Sequence, residues 1–187
     1  STWDHDLPIT ERAARNTGRV LDILAAHNRT ITMFVLGKFA ERFPDVVRRI
    51  ADEGHEVASH GYRHIEVFKQ TPNEFRQDIE RSMRLLEDIT GQPIFGYRAP
   101  DYSIMRDTLW ALKILAELGF VYDSSIFPSS ISRYGIAEWP ADPVCVQLPA
   151  GRTIVEFPLT TLTLFNRRWP VAGGGYHRLL PWPVIQR

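Results

Sequence analysis

The chain has 187 residues, of which 44% are hydrophobic, and its 22 basic side chains balance 22 acidic ones. This length allows a single domain, residues 1–187, with a substantial core, and a net charge near zero gives no electrostatic reason to bind nucleic acid or an anionic membrane. No apolar run reaches the roughly 20 residues that a membrane span needs, and no signal peptide is recognisable; with a single cysteine, Cys145, this slightly favours a cytoplasmic location.

Predicted helices and short apolar strands alternate from the start of the chain. The strands are apolar and β-branched, as expected of parallel strands that are covered on both faces. Glycine stops the helices where a left-handed C-terminal residue is favourable. In chain order the pattern predicts a helix over 10–28, a strand over 31–36, a helical turn over 38–43, a helix over 45–53 and a strand over 56–59.

A capping box opens the next predicted helix at Thr71-Pro72-Asn73-Glu74, and Gly91 ends it. A strand over 94–97, a helix from 107 or 108 to 118 and a strand over 120–122 then follow. The same unit of helix, glycine and strand therefore recurs three times. This alternation predicts an α/β fold with a parallel sheet or barrel.

The periodicity weakens after Phe127. Residues 128–151 include four prolines, which predicts a loop-rich insertion over about 128–152. Strand character returns over 154–157 and 161–165.

Polar side chains follow the predicted strands at the end where α/β proteins bind ligands. His60 and His64 follow one strand, Arg98 follows the next, and Asp123 follows the one after that. Imidazole is a common zinc ligand, and two histidines four residues apart can bind one ion across a tight turn. We therefore expect these four side chains to share one pocket with a divalent metal.

Two of these strand ends resemble motifs of a known family. Ser59-His60-Gly61-Tyr62-Arg63-His64 and Gly96-Tyr97-Arg98-Ala99-Pro100 resemble the second and third motifs of the polysaccharide deacetylases, the NodB-homology group of carbohydrate esterases (family 4 type). The resemblance extends from about Arg19 to Leu180.

Three further stretches are similar to the branch of that family associated with exosortase (PEP-CTERM) exopolysaccharide loci. They are Leu86–Pro93, Tyr122–Ile126 and Val171–Tyr176. The resemblance implies a distorted (β/α) barrel that removes acetyl groups from an N-acetylated polysaccharide with a divalent metal, usually zinc.

The resemblance also implies roles for individual residues. His60 and His64 would be metal ligands, Arg98 would hold the catalytic aspartate, and Asp123 would orient the histidine that protonates the departing amine. The residues expected to contact the substrate are Tyr62, Asp101 and Tyr102.

The sequence departs from the family pattern in three places. The acidic pair of the first motif has no match, because no predicted strand precedes the first helix. Asp4 and Asp6 do not replace that pair, since Trp3, Asp4 and Pro8 fit the loop after that strand better. His177 lacks the apolar strand that precedes the last motif's histidine, which acts as the general acid. Asp101 stands where serine or tyrosine is usual. We therefore expect an incomplete barrel, without its first and last strands, that is inactive by itself.

Two other functions fit the same residues. A non-catalytic relative could bind carbohydrate after losing its acid and base, and an upstream acidic pair would argue against that reading. A different barrel hydrolase could act on small amides, because substrate size cannot be read from these side chains.

Overall fold

The structure is a computed structural model that describes residues 9–129, 135–164 and 167–170. Its five helices, in chain order, are α1 (Glu11–Ala26), α2 (Gly37–Arg42), α3 (Pro44–Asp52), α4 (Pro72–Thr90) and α5 (Trp110–Glu117). Its strands are β1 (Thr32–Val35), β2 (Glu56–Ser59), β3 (Gly96–Tyr97), β4 (Tyr122–Asp123), β5 (Val144–Gln147), β6 (Thr153–Glu156), β7 (Thr161–Leu164) and β8 (Arg167–Pro170). Short 3₁₀ turns lie at Val67–Lys69, Pro100–Tyr102, Arg106–Thr108 and Pro149–Gly151.

Six strands form one sheet in the order β1-β2-β3-β4-β6-β5, and β7 and β8 form a separate hairpin. The first five strands of that order are parallel, whereas β5 pairs antiparallel with β6 at the edge. Helices connect β1 to β2, β2 to β3 and β3 to β4, whereas the connection from β4 to β6 contains β5 and a 3₁₀ turn. The predicted α/β class with a parallel sheet is confirmed.

Helix α4 begins and ends at the predicted residues. The Thr71 hydroxyl accepts from the Glu74 N–H at 3.3 Å, and the Glu74 carboxylate accepts from the Thr71 N–H at 2.8 Å. Gly91 follows in the left-handed conformation, with φ 65°. The helix buries Phe75, Ile79 and Leu86 in the core that it shares with the sheet and α5.

The stretch 128–152, predicted to be rich in loops, includes one strand that the sequence analysis did not identify. Val144–Gln147 forms the edge strand β5, in register with Thr153–Glu156. Its residues alternate between half-buried and exposed, because an edge strand that is covered on one face needs only alternate apolar positions. This alternation covers only four residues, and the surrounding prolines led to the prediction of a loop there.

Some sequence predictions fall outside the described residues. These are the assignments for Asp4, Asp6 and His177 and the stretch Val171–Tyr176. Among the helices that the structure does describe, none has the length and apolarity for crossing a bilayer.

Candidate metal and active site

A pocket lies at the carboxyl end of the parallel strands. The residues that line it are Phe34, His60, His64, Arg98, Ala99, Asp101 and Tyr102. Five of the seven sequence-predicted site residues are thus gathered here, while Tyr62 and Asp123 are not among the lining residues.

Sheet register explains which strand-end side chains enter the pocket. Ser59, Tyr97, Asp123 and Glu156 are lateral partners across β2, β3, β4 and β6. This row faces the helices, since the Ser59 hydroxyl contacts that of Ser82 on α4 at 3.0 Å. Successive residues of a strand point to opposite faces, so the side chains of the next row lie on the pocket face.

His60 belongs to that next row and has a defined tautomer. Its Nδ1 lies 2.6 Å from the carbonyl oxygen of Arg98. Because a carbonyl only accepts, Nδ1 carries the proton and Nε2 keeps its lone pair. Burial, with smaller contributions from His64 and Arg98, lowers the pKa of His60 to about 4, although the bond to the Arg98 carbonyl opposes the shift. His60 is therefore neutral at pH 7, as a metal ligand must be.

His64 is brought beside His60 by a tight turn. The ring centroids lie 5.1 Å apart, at 69° to each other. Gly61 and His64 both have left-handed backbones, with φ 76° and 60°. A non-glycine residue in that conformation costs free energy and persists where the surroundings hold it. The two imidazoles therefore lie side by side, and their convergence on one metal ion stays a prediction.

Helix α4 holds this turn through two side chains one helical turn apart. The buried Asp78 carboxylate accepts from the Tyr62 N–H at 2.7 Å and from Arg63 Nε at 3.0 Å. The Ser82 hydroxyl donates to the Gly61 carbonyl at 3.2 Å. Buried backbone groups need such partners, so α4 fixes the geometry between His60 and His64.

Arg98 lies along the pocket wall. Its Nε donates to the Ser124 carbonyl at 2.9 Å, and an Nη donates to the Ser124 hydroxyl at 2.6 Å. The guanidinium carbon is 4.1 Å from the ring centroid of Phe34 and 5.9 Å from that of Tyr102. Hydrogen bonds to Ser124 and contacts with the rings of Phe34 and Tyr102 thus fix the orientation of the planar guanidinium. Arg98 points to the pocket, as predicted, and its role in catalysis stays a prediction.

Asp123 and Tyr62 lie elsewhere. Asp123 is fully buried on the helix-facing side, where its carboxylate accepts from the Ser125 hydroxyl at 2.5 Å. Tyr62 is 5% exposed; its ring packs against Gly37, and its hydroxyl donates to Glu41 at 2.6 Å. The expected shared pocket therefore does not include Asp123, because it stands one row away from His60 and Arg98. The substrate contact predicted for Tyr62 has no counterpart in this packing.

Asp101 and Tyr102 form the rim of the pocket on a strained turn. Both have left-handed backbones, with φ 52° and 55°. The Tyr102 ring lies 6.2 Å from that of Phe127. Two consecutive residues of this kind are costly, and such strain is common where a loop shapes a binding site.

The two histidines lack a third protein ligand in the described part of the chain, where no group of three His, Cys, Asp or Glu side chains could hold a metal ion. These two donors fit zinc, because Nε2 of His60 keeps a lone pair and the imidazole of His64 lies beside the His60 ring. The residues that complete a coordination sphere are not identified among those described.

Sequence reasoning missed Glu156 and Asp78. Glu156 follows the apolar run Ile154-Val155 at a strand end, which is the same signal that marked His60. Asp78 gave no comparable signal, because an acidic residue on an amphipathic helix usually belongs to the solvated face.

Comparisons with known proteins agree with this geometry. The polysaccharide deacetylase family profile matches residues 1–122, and a domain of unknown function (DUF3473) matches residues 124–187. The chain belongs to the polysaccharide deacetylase family. Its fold class is the α/β, distorted-barrel class of the NodB-type deacetylases.

Individual relatives support the assignment. A peptidoglycan-N-acetylglucosamine deacetylase of Bacillus cereus is 38% identical over 96 residues, which cover 51% of this chain and 35% of the relative. A chitooligosaccharide deacetylase of Bradyrhizobium is 29% identical over 120 residues, 64% of this chain and 54% of the relative. A polysaccharide deacetylase structure from Mycobacterium smegmatis superposes with a TM-score of 0.63 at 30% identity, covering 85% of this chain and 52% of that one. The first of these relatives is matched over only about a third of its length.

Proposed function

We propose that the protein carrying this chain is a metal-dependent hydrolase that removes N-acetyl groups from an amino-sugar polysaccharide. The observation that carries the proposal is the tautomer of His60, whose Nδ1 is hydrogen-bonded to the Arg98 carbonyl so that Nε2 keeps its lone pair, in a ring that lies beside that of His64. Family membership supports the reaction class, and relatives named for peptidoglycan and chitooligosaccharide deacetylation support an N-acetylated sugar as the substrate.

The metal would be held by His60 and His64, and zinc, which the family resemblance implies, is an ion that imidazole nitrogens commonly bind. When bound, such an ion polarises a carbonyl and lowers the pKa of water. This chain's residues prepare that site: the Arg98 carbonyl sets the tautomer of His60, and α4 sets the turn to His64. A third ligand and the general base remain predictions of the family resemblance.

The positive charge of Arg98 would attract the catalytic carboxylate. Its guanidinium is already oriented by Ser124 and Phe34, so little ordering entropy is lost when it pairs with an acid. A planar fork pairs with a carboxylate through two parallel hydrogen bonds. We assign Arg98 the task of holding the catalytic carboxylate.

Acetate release from N-acetylglucosamine oligomers by the whole protein that carries this chain tests the proposal. We expect release that stops with a chelator, returns with zinc and is lost in His60→Gln. The control is His27→Gln, which changes an exposed histidine after α1. Release that is indifferent to chelator and to His60→Gln would contradict the proposal. Oligomer binding without release would favour the non-catalytic alternative.

A further inference from the structure

Two carboxyl groups meet in the interior at the ends of neighbouring strands. Asp123 of β4 and Glu156 of β6 are lateral partners in register, and both are 0% exposed. No cation neutralises them by an ion pair among the described residues. Two ionised carboxylates at such a site would repel strongly without solvent to screen them.

The polar contacts of the pair fit one shared proton. The Ser125 hydroxyl donates to Asp123 Oδ1 at 2.5 Å, and the Ile126 N–H donates to Glu156 Oε1 at 2.9 Å. The remaining oxygens, Asp123 Oδ2 and Glu156 Oε2, are buried without another partner. A protonated Glu156 that donates to Asp123 satisfies both atoms, whereas two carboxylates would leave them unsatisfied.

The electrostatics agree with this reading. Burial, followed by the charge of Asp123, raises the pKa of Glu156 to about 11. Burial also raises the pKa of Asp123. From the next strand, Tyr97 faces the pair, and its pKa is raised by burial and then by Asp123. The proton therefore stays on the pair through the neutral range.

The pair braces the segment that holds the pocket wall. Ser125, bonded to Asp123, accepts from the Ala99 N–H at 2.7 Å. Ser124 accepts from Arg98 through its carbonyl and its hydroxyl, and that hydroxyl donates to the Phe157 carbonyl at 2.7 Å. Residues 124–126 are thus tied to β6 on one side and to Arg98-Ala99 on the other.

We propose that Glu156 is a positioning residue, which shares one proton with Asp123 and thereby fixes residues 124–126 and the orientation of Arg98. The consequence for catalysis rests on the proposed function, but the proton and the orientation do not. Glu156 lies in the part matched by the domain of unknown function. With Ser124, Ser125 and Glu156, that part would therefore support a pocket whose lining residues lie between Phe34 and Tyr102.

Spectroscopy of the protein without metal or substrate tests the proton. We expect the infrared carbonyl band of a protonated carboxyl group at pH 8, lost in Glu156→Gln and kept in the exposed control Glu11→Gln. Because burial raises the pKa of Glu156, the native state would bind one more proton than the unfolded state in the neutral range. Wild-type stability should therefore fall relative to Glu156→Gln as pH rises through neutrality, by up to about tenfold in the unfolding constant per pH unit. A missing band together with parallel pH profiles would overturn the shared proton.

The Arg98 Nε–H signal in NMR tests positioning. Glu156→Gln can accept from Ile126 and donate to Asp123, so it should keep the wild-type shift and slow exchange of that proton. Glu156→Leu cannot form either hydrogen bond, so the Arg98 proton should shift and exchange faster in that variant. If Glu156→Leu does not fold, Ser125→Ala interrupts the same brace at Ala99 and should shift the signal. An unchanged Arg98 signal in Glu156→Leu, or in Ser125→Ala where Glu156→Leu does not fold, would overturn the positioning role. Failure of acetate release with these signals as expected would instead count against the proposed function alone.

Discussion

The backbone carbonyl of Arg98 contacts His60, and the side chain of Arg98 lines the pocket. Its carbonyl fixes the protonated nitrogen of His60, and its guanidinium is held by Ser124 between two aromatic rings. Substitution of the side chain leaves the carbonyl in place. The two functions of Arg98 can therefore be separated by mutation.

Arg98→Lys should lower the rate of acetate release by roughly ten- to a hundredfold while zinc affinity stays near the wild-type value. An ammonium group cannot reproduce the planar fork that a carboxylate and Ser124 share. The measurements are kcat with N-acetylglucosamine oligomers and zinc titration of the same preparation. Wild-type turnover would contradict the assigned role, and Arg106→Lys, with its exposed side chain, is the control.

The low pKa of His60 should make the stability of the protein depend on pH. Its folded pKa of about 4 lies below the unfolded value of 6.5, so the native state binds fewer protons between these values. The contribution to stability is present above about pH 6.5 and is lost as pH falls towards 4. We expect the metal-free wild type to lose stability over this window more steeply than His60→Gln. Parallel profiles of the two proteins in urea unfolding would contradict the buried neutral imidazole.

Helix α4 acts at the scale of an element. Asp78 and Ser82 contact the turn from Gly61 to Arg63 and so join the position of this helix to the spacing of the two histidines. The capping box at Thr71 and the glycine after Thr90 fix where the helix begins and ends. The helix therefore presents both side chains at the height of the turn.

Asp78→Ala should weaken zinc binding by about ten- to a hundredfold, as loss of an outer-shell partner usually does. It should also lower the free energy of unfolding by about 1–3 kcal/mol, because the buried Tyr62 N–H loses its acceptor. Asp88→Ala, on an exposed position of the same helix, is the matched control. Calorimetric zinc titration and urea unfolding measure the two effects. Equal zinc affinity in all three proteins would mean that the turn is rigid without α4.

The elements could be predicted from sequence where local signals were strong. The capping box, the glycines after helices and the apolar strands gave α4, β1 and β2 nearly to the residue. The face occupied by Asp123 could not be predicted, because a shift of one residue along a strand reverses the direction of its side chain. That register depends on pairing with β3 and β6, which is information from distant parts of the chain.

At the scale of the whole molecule, one sheet joins the two segments that match different families. Strand β4, at the end of the deacetylase match, pairs with β6 from the following segment. A parallel sheet was predictable from the alternation of helices and strands, but its strand order was not. The insertion of β6 between β4 and β5 was not, because nonlocal pairing leaves little trace in local pattern.

The central claim is that His60 and His64 hold a metal through the nitrogen that the fold leaves free. Anomalous diffraction at the zinc edge, from crystals grown with zinc, tests it most directly. We predict a peak within bonding distance of Nε2 of His60 and of a ring nitrogen of His64, with Nδ1 of His60 still against the Arg98 carbonyl. A peak bonded to Nδ1 of His60, or zinc bound only away from this pair, would contradict the account.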